Sequence, residues 1–380
     1  MRFSIDAHAI GRNLTGNEVY VRNLLAGFAS LDVESEFFAY VSEPGAERDV
    51  PAGFRCRRVS SNPFVRLGLD LSARLREDRP DLIHVQYTAP LWCPCPIVVS
   101  VHDVSFLEHP EYFPRARVLQ LGFTVRRTVE RAARVLTTSE FSARQLARQY
   151  SIAREKITVV PCAVSSAFRP IAQETARARV RQSLGVPAPY LLMVGDLQPR
   201  KNQTGLIAAF EQLLRDQPHL PHHLVLTGQD NFFASRAKEA ARQSSVPHRI
   251  HFTGFVPDSE LPYLYAGCDL FVFPSLYEGF GMPILEAMAC GRAVVCSNTT
   301  ATVEVADGAA ITCDPTSTAE LVRAMRDVLV DGELRARMER LGVKRAARFQ
   351  WKDTAAKTLT VYHEVAAVRR RSRSAASVRR

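Results

Sequence analysis

The chain has 380 residues, which exceeds the usual size of one domain and predicts two domains. Hydrophobic residues make up 46% and charged residues 23%, as in globular proteins, and no run of about 18 apolar residues could span a membrane. The formal net charge is +10, but it falls to +4 without the six arginines of residues 369–380, so we do not expect a nucleic-acid partner.

Short apolar segments alternate with longer amphipathic segments along the chain. Continuous β-branched runs separated by helical stretches are typical of buried parallel strands. We predict strands at 3–5, 37–41, 82–85, 97–101, 135–138 and 157–160 in the first half, and at 190–194, 223–227, 250–252, 270–273, 293–296 and 310–312 in the second. Two such series indicate two doubly wound α/β domains, whose ligands bind beyond the carboxyl ends of the strands.

Prolines and composition set the predicted boundaries. We predict an N-terminal domain at 1–168, a proline-punctuated linker at 169–189, a C-terminal domain at 190–349, a helix at 350–368 that returns to the first domain, and a basic tail at 369–380. The tail is predicted to be disordered because it has almost nothing to bury. It is either a solvated end or a segment weakly attracted to an anionic membrane.

The eight cysteines show no disulfide framework. Cys93 and Cys95 have the wrong spacing for a zinc knuckle or a Cys-x-x-Cys redox pair. Cys268, Cys290, Cys296 and Cys313 lie in apolar segments and are expected to be small buried residues. This usage fits a reducing cytoplasm.

Polar residues follow three strands of the first domain. Gly16 lies in a turn before a helix, although one glycine alone is weak evidence of a phosphate-binding turn. His102 ends a strand and is suited to a sugar hydroxyl, with Asp103 to orient it; the alternative is a hydrogen-bonded histidine at a strand end. Ser139 and Glu140 either face the same edge or form a helix cap.

In the second domain, Arg200 and Lys201 lie between the strand 190–194 and a helix. A guanidinium fork and a compact ammonium at this place are suited to a diphosphate, whose negative charge grows as a nucleoside diphosphate departs. Taken alone, such a pair is equally well explained as two surface residues without a binding role.

The most informative segment is Glu278–Glu286. It follows an apolar strand, contains a Gly-Phe-Gly turn and runs into an apolar helix. Glycine lets a ligand approach the backbone, and a helix N-terminus favours an anion. Two carboxylates flanking such a turn can accept hydrogen bonds from hydroxyls at both ends of a ligand, which describes a nucleotide sugar; the alternative is two solvated surface glutamates.

Several other chemistries are disfavoured. No His, Cys, Asp or Glu cluster has metal-ligand spacing, and no Asp-x-Asp element is present, so we expect no metal and no cofactor. Neither a Gly-x-x-x-x-Gly-Lys-Ser/Thr loop nor a Gly-x-Gly-x-x-Gly turn occurs, which disfavours nucleoside triphosphatases and dinucleotide oxidoreductases.

Together these motifs resemble a known family. The segment Gly254–Gly291 closely resembles the donor-site region of retaining glycosyltransferases of family 4, and Val194–Asn202 is similar to their phosphate loop. Val101–Pro110 and Thr137–Ser142 resemble signatures of their N-terminal domain. The resemblance covers nearly the whole chain up to Val368 and is most specific in the second domain.

The resemblance implies a GT-B architecture, in which an acceptor-side and a nucleotide-sugar Rossmann-like domain face each other across a cleft. It implies retaining, metal-independent transfer from a GDP-mannose-like donor or a UDP-sugar to a glycan or lipid-linked acceptor, in cell-surface polysaccharide synthesis. We therefore expect a cytoplasmic protein, either free or peripheral on the inner face of the membrane, with weak contact through the arginine-rich tail in the second case.

The resemblance also assigns roles to residues. Catalytic roles fall to His102 beside the transferred sugar, Arg200 and Lys201 on the diphosphate, and Glu278 on the donor sugar. The implied donor-binding residues are Gly16, Gly195, Phe255, Val256, Gly279, Phe280, Gly281, Met282, Ile284 and Glu286. Glu286 would hold the ribose hydroxyls, and residues 255–256 would offer backbone groups to the base. Asp196 stands where many members have arginine, and Pro283 has no N–H, so a phosphate amide must come from Met282 or Ile284.

Two other functions remain open from the sequence. A sugar-nucleotide epimerase with the same architecture would use further carboxylates and need no acceptor. A non-catalytic sugar-nucleotide-binding protein would keep the fold without turnover, although the intact set of Glu278, Glu286, Arg200 and Lys201 argues against it.

Overall fold

The computed structural model describes residues 1–12, 15–32, 34–231 and 233–378, which form two compact units. The N-terminal unit comprises Met1–Cys162 and Gln350–Arg380, and the C-terminal unit comprises Ala163–Phe349. None of the described helices is both long enough and apolar enough to cross a membrane.

The strands of the described residues are short, as is usual for buried parallel sheets. They are β1 (Arg2–Asp6), β2 (Glu36–Val41), β3 (Phe54–Arg58), β4 (Leu82–Gln86), β5 (Ile97–Ser100), β6 (Arg134–Thr137), β7 (Ile157–Val159), β8 (Tyr190–Val194), β9 (His223–Thr227), β10 (Ile250–Gly254), β11 (Leu270–Phe273), β12 (Val294–Ser297) and β13 (Ile311–Cys313).

Helices connect most successive strands. They are α1 (Thr15–Leu31), α2 (Pro63–Val65), α3 (Leu71–Asp78), α4 (Ser105–Glu108), α5 (Arg115–Arg131), α6 (Glu140–Tyr150), α7 (Gln173–Leu184), α8 (Gln203–Asp216), α9 (Ala234–Gln243), α10 (Leu261–Gly267), α11 (Met282–Ala289), α12 (Thr302–Ala306), α13 (Thr318–Val330), α14 (Gly332–Ala346) and α15 (Trp351–Val378).

Each unit is built on one parallel sheet in the part of the chain that is described. The N-terminal sheet has the order β3-β2-β1-β4-β5-β6-β7, and the C-terminal sheet has the order β10-β9-β8-β11-β12-β13. The strand order reverses beside β1 in the first sheet and beside β8 in the second. Such switch points are where open α/β sheets bind ligands, so the ends of β8 and β11 mark the first place to examine in the C-terminal unit.

One strand was missed by the sequence analysis. β3 lies at the edge of the N-terminal sheet and pairs only with β2, with Phe37 opposite Phe54. Three of its five residues are arginines, and all five are partly or fully exposed. An edge strand needs no apolar run, because charged side chains there discourage pairing with other chains.

The segment predicted as a linker is part of the C-terminal unit. The units divide between Cys162 and Ala163, ahead of the predicted boundary at residue 168. α7 occupies most of the linker and is bound to the segment between α10 and β11: Arg177 makes two 2.8 Å hydrogen bonds to the Asp269 carboxylate. Proline marks an irregular backbone here, but paired charges hold the segment to the unit.

The last helix belongs to the N-terminal unit and continues beyond its predicted end. The Tyr362 hydroxyl lies 2.6 Å from His84 Nδ1, and both side chains are buried. Residues 369–378, predicted to be disordered, continue α15. Arginine and alanine favour helix, and Arg369 donates hydrogen bonds to the Pro80 and Asp81 carbonyls, which the composition alone could not reveal.

Candidate functional site

The loops beyond β8 and β11 meet at the switch point of the C-terminal sheet. β8 ends at Val194 and is followed by Gly195, and a 3₁₀ turn, Pro199–Lys201, precedes α8. The backbone N–H of Leu276, beyond β11, donates a 2.7 Å hydrogen bond to the Arg200 carbonyl, and Arg200 Nη1 donates to the Tyr277 carbonyl at 3.2 Å. These bonds hold the two loops together.

Three charged side chains converge between these loops. Lys201 Nζ lies 2.6 Å from Glu278 Oε1, and Arg200 Nη1 lies 3.1 Å from Glu278 Oε2. Lys201 Nζ also lies 4.7 Å from the centre of the Phe273 ring. Both oxygens of Glu278 therefore accept hydrogen bonds from cations, so a sugar hydroxyl would have to use their remaining lone pairs.

Burial governs the electrostatics of this cluster. Lys201 is 7% exposed and Glu278 is 6% exposed. Burial alone would raise the pKa of Glu278, but Lys201 and Arg200 outweigh it and lower that pKa. Burial, with Arg200 beside it, lowers the pKa of Lys201 although Glu278 and Asp196 favour its charge. The ammonium is thus less well compensated than the carboxylate.

Glycine lets the Lys201 side chain lie across the end of β8. Gly195 has φ 155°, and a Cβ there would lie 3.3 Å from Lys201 Cε. Gly228, at the end of β9, approaches even more closely, because its Cβ would lie 2.2 Å from the Gly195 carbonyl oxygen. The two glycines therefore allow the strand ends and the lysine to pack together.

Glu286 lies in α11, eight residues after Glu278. The Tyr265 hydroxyl donates a 2.6 Å hydrogen bond to Glu286 Oε2. Burial raises the pKa of Glu286 to about 7, with Asp258 adding to the rise, while the Tyr265 hydrogen bond and Lys201 oppose it. A half-buried carboxylate with so little compensation is a candidate binding residue.

The turn before α11 has the backbone expected of its glycines. Gly281 has φ 102°, in the left-handed region, and Phe280 is buried against Phe349 with ring centres 5.8 Å apart. The Ile284 N–H donates a 3.0 Å hydrogen bond to the Gly281 carbonyl. Of the two predicted amide donors, Ile284 is thus engaged within the turn, which leaves Met282 as the better candidate.

Phe255 and Val256 follow β10, two strands away from β8. Phe255 is 52% exposed, whereas Val256 is buried. The Gly228 N–H donates to the Gly254 carbonyl at 3.0 Å, and the Gly195 N–H donates to the Thr227 carbonyl at 2.8 Å, so the three strand ends are bound side by side. The candidate residues from 195 to 286 thus share one edge of the C-terminal sheet.

His102 and Gly16 lie in the N-terminal unit. His102 Nε2 is 3.4 Å from Gln86 Oε1, and its ring packs edge-on against Tyr20 at 4.6 Å. Burial lowers the pKa of His102 to about 4, so the ring is neutral at pH 7. Asp103 Oδ1 accepts from the Ser105 N–H and hydroxyl, and its suggested role of orienting the His102 ring stays a prediction.

The structure locates Ser139 and Glu140 at the start of α6 and Gly16 at the start of α1. Ser139 caps α6 by accepting a 3.0 Å hydrogen bond from the Ser142 N–H, and Glu140 pairs with Arg154. Gly16 lies in the first turn of α1. Asn13 and Leu14, which precede it in the same predicted turn, lie outside the described residues.

Comparison with known proteins places the chain in a family. The sequence model described as "Glycosyl transferases group 1" matches residues 176–345, and the model "Glycosyltransferase Family 4" matches residues 14–168. The chain belongs to the group 1 glycosyl transferases. The resemblance inferred from the motifs is therefore confirmed, and the protein is a glycosyltransferase.

Individual relatives agree. O-antigen chain mannosyltransferase B of Escherichia coli is 32% identical over 265 residues, which are 70% of this glycosyltransferase and 69% of the relative. D-inositol 3-phosphate glycosyltransferase of Kineococcus radiotolerans is 28% identical across 95% of this chain and 93% of its own. Anabaena HepE, solved with UDP and glucose, has a TM-score of 0.75 and 19% identity over 96% of this chain and 100% of its own. The predicted GT-B fold is thereby confirmed.

Other residues of this glycosyltransferase were missed by the sequence analysis. Nothing in the sequence marked Tyr265 as a site residue, since a tyrosine in an apolar helix is ordinarily part of the core. The sequence did mark Asp6, because it is a polar residue at the end of β1, just as His102 is a polar residue that follows β5. It is buried and paired with Arg66 at 3.3 Å; burial opposes its ionisation, but Arg66 and His8 hold its pKa well below the usual range.

Among the described residues, no group of three or more His, Cys, Asp or Glu is arranged to hold a metal ion.

The pH dependence of stability tests the environment of Glu286. The folded protein holds the Glu286 proton up to about pH 7, whereas the unfolded chain releases it near the ordinary value of 4.5. The free energy of unfolding therefore falls as pH rises between these values. We expect the melting temperature of Glu286→Gln, relative to the natural protein, to rise across this window and to level off above it.

A control variant separates this effect from the loss of one charge. Glu174→Gln removes a carboxylate whose side chain is 87% exposed. Its melting temperature should follow that of the natural protein at every pH. A Glu286→Gln difference that does not change between pH 4.5 and pH 7 would contradict the assigned pKa.

Proposed function

We propose that this glycosyltransferase transfers a sugar, with retention and without a metal, from a nucleotide-diphosphate sugar to a hydroxyl of a glycan or lipid-linked acceptor. The observation that carries the proposal is the buried cluster of Arg200, Lys201 and Glu278 at the switch point of the C-terminal sheet. The mannosyltransferase relative makes GDP-mannose the first donor to test and supports a role in cell-surface polysaccharide synthesis. A UDP-sugar is the second candidate.

The charge of the cluster supports a phosphate ligand. Two cations contact one carboxylate, and the Lys201 ammonium remains destabilised by burial. A diphosphate would supply negative charge next to these cations, and such charge-assisted contacts are strong where water is excluded. The same cations would stabilise the charge that develops on the leaving nucleoside diphosphate, which is the work that a divalent metal does in metal-dependent enzymes.

Glu286 is suited to the ribose end of the donor. Its carboxylate is fixed by Tyr265 and has one oxygen that the Tyr265 bond does not use. Two neighbouring hydroxyls of a ribose can each donate a hydrogen bond to one carboxylate. Binding would then favour the ionised form of Glu286, offsetting the cost of its burial.

The proposed reaction is a front-face substitution. The acceptor hydroxyl bonds to the anomeric carbon as the bond to the β-phosphate oxygen breaks, and that phosphate oxygen takes the hydroxyl proton. The protein then supplies orientation and charge stabilisation rather than a strong base. The predicted contacts of Gly16 and His102 with the substrates stay predictions.

Nucleotide binding provides the first test. In a thermal-shift panel of GDP-, UDP-, ADP- and TDP-sugars, one donor class should raise the melting temperature, because a ligand bound to the folded state stabilises it. Titration calorimetry should then show at least about tenfold weaker binding of that donor to Glu286→Ala, the loss expected for one charge-assisted hydrogen bond or more. Unchanged affinity would remove Glu286 from the donor site.

Product analysis tests the reaction itself. With the donor so identified, magnetic resonance of the product should show the anomeric configuration of the donor, and the rate should be unchanged by an excess of chelator. An inverted product, or a rate abolished by the chelator and restored by Mg²⁺ or Mn²⁺, would overturn the proposal. Epimerised donor formed without acceptor would support the rival activity instead.

We also propose a weak contact of the N-terminal unit with anionic membranes. Arg369 binds the Pro94 carbonyl, and the neighbouring Leu91 and Trp92 are 45% and 57% exposed. Arg131 donates to the Leu91 carbonyl, so exposed apolar groups and cations lie together. Interfacial binding combines these two features.

Vesicle sedimentation tests this contact. Vesicles that contain phosphatidylglycerol should retain the protein at low salt, and vesicles of phosphatidylcholine alone should not. Replacing Arg370 and Arg371 by alanine should weaken retention roughly thirtyfold, because each cation near such a surface contributes about 1 kcal/mol. Arg326→Ala, on the C-terminal unit, serves as the control. Equal retention by both kinds of vesicle would contradict the proposal.

A further inference from the structure

Cys93 and Cys95 form a close thiol pair that the proposed transfer reaction does not use. They lie in the segment between β4 and β5, separated by Pro94. Their Sγ atoms are 3.8 Å apart, and Cys93 Sγ lies 3.1 Å from the Cys95 carbonyl oxygen. Cys93 is half-buried, whereas Cys95 is buried in the core under the sheet. One sulfur is therefore within reach of a reagent and the other lies behind it.

Three arginines hold the segment that carries the pair. Arg127 donates to the Pro90 carbonyl at 3.3 Å, Arg131 to the Leu91 carbonyl at 3.1 Å, and Arg369 to the Pro94 carbonyl at 3.2 Å. Two helices, α5 and α15, thus place fixed positive charge around one short loop. A cationic, partly exposed setting is the one in which a cysteine becomes reactive.

The electrostatics separate Cys93 from the other cysteines. A hydrogen bond from the Cys95 thiol lowers the pKa of Cys93 in spite of burial, and Arg131 and Arg369 add to this effect. Burial instead raises the pKa of Cys56, which is also half-buried, and of the enclosed cysteines at 162, 268, 290, 296 and 313. Among these cysteines, Cys93 is the one whose pKa its surroundings lower, although its S–H donates a hydrogen bond to the Cys95 carbonyl.

We propose that Cys93 and Cys95 form a reversible thiol–disulfide exchange site for small-molecule disulfides such as oxidised glutathione. The Cys93 thiolate attacks one sulfur of the disulfide, forms a mixed disulfide and releases one thiolate. Cys95 then gives up its proton and attacks the Cys93 sulfur, which closes the Cys93–Cys95 bond and releases the second thiol. Two protein thiols are oxidised while one disulfide is reduced to two thiols, and the reverse reaction restores the pair.

Cys95 has the character of the resolving thiol. Its hydrogen bond to Cys93, together with burial, raises its pKa far above that of an ordinary thiol. It therefore stays protonated while Cys93 reacts, and it loses its hydrogen-bond partner once Cys93 carries a mixed disulfide. The exchange uses only these two sulfurs and does not depend on the proposed donor or reaction.

Exchange with one equivalent of dithiodipyridine per folded chain tests the proposal. The natural protein should release two thiopyridones for each disulfide consumed and keep no adduct in its intact mass. Cys95→Ser should release one and retain the other as a stable adduct. Cys93→Ser should react at least about tenfold more slowly, because it removes the favoured thiolate. Cys56→Ser, which removes a half-buried cysteine with no nearby thiol, should behave as the natural protein does.

Two results would overturn the proposal. One is a Cys93→Ser variant that reacts at the natural rate; the other is a natural protein that keeps one adduct per chain as Cys95→Ser does. A measurement without variants guards against misfolding: limited alkylation of the natural protein by iodoacetamide, followed by peptide mapping, should label Cys93 first. Labelling of Cys56 or of a buried cysteine before Cys93 would refute the assignment.

Discussion

Lys201→Met should lower the rate of sugar transfer by a factor of about 10² to 10³, the loss expected when one preorganised charge is removed from a developing anion. Lys201 Nζ lies 2.6 Å from Glu278 in a site where both groups are buried, so no solvent cation takes its place. Methionine keeps much of the side-chain volume. Acceptor affinity should change far less than turnover, and unchanged turnover would remove Lys201 from the mechanism.

The same substitution should also destabilise the fold, and a double variant separates the two effects. Lys201→Met leaves Glu278 with Arg200 as its cation, which should cost about 3 kcal/mol in urea unfolding. Adding Glu278→Gln removes the carboxylate that has lost one of its two cations and should restore part of the stability without restoring turnover. Lys238→Met, which breaks an exposed pair with Asp230, is the matched control and should change neither quantity appreciably. Recovery of activity together with stability would assign Lys201 a structural role only.

Gly228→Ala should lower the free energy of unfolding by about 3 kcal/mol or more. The new Cβ would lie 2.2 Å from the Gly195 carbonyl oxygen and 2.8 Å from the Asp196 nitrogen. Both are backbone atoms, so no side chain can rotate away, and the ends of β8 and β9 must separate. Because Lys201 crosses the end of β8, donor binding should weaken as well.

Gly308→Ala provides the comparison for this result. Gly308 has φ 76°, but a Cβ there would meet no atom within 4 Å. This variant should therefore lose only about 1–2 kcal/mol from the left-handed backbone conformation. Equal losses of stability in the two variants would show that the backbone conformation, and not the contact with Gly195, decides the effect at Gly228.

The sequence predicted most of the fold because its strands are buried on both faces. Such strands are continuous apolar runs, and twelve of the thirteen strands in the described residues were located within a residue or two. β3 was missed because it is an edge strand and carries arginines in place of a continuous apolar run. The α15 extension was missed for a different reason: Arg369, at its start, binds the carbonyls of residues 80, 81 and 94, which are remote in sequence.

The position of the candidate site was predictable from the sequence, but the hydrogen-bond partners of its side chains were not. The placement of Arg200, Lys201 and Glu278 after strands indicated one sheet edge, and the structure brings all three together there. That both oxygens of Glu278 are bound by cations, or that Tyr265 fixes Glu286, depends on side-chain packing from separate loops. Periodicity and spacing report which face a residue is on, not which partner it has.

The return of α15 to the N-terminal unit has a consequence for the order of folding during synthesis. The ribosome makes residues 1–162 first, yet this unit also needs Gln350 onwards. α1 packs so closely on α15 that a Cβ on Gly27 would lie 2.5 Å from that of Ala355, and Tyr362 reaches His84. The first unit to leave the ribosome is therefore the last that can be completed, and until then its surface for α15 is exposed to chaperones and to other nascent chains.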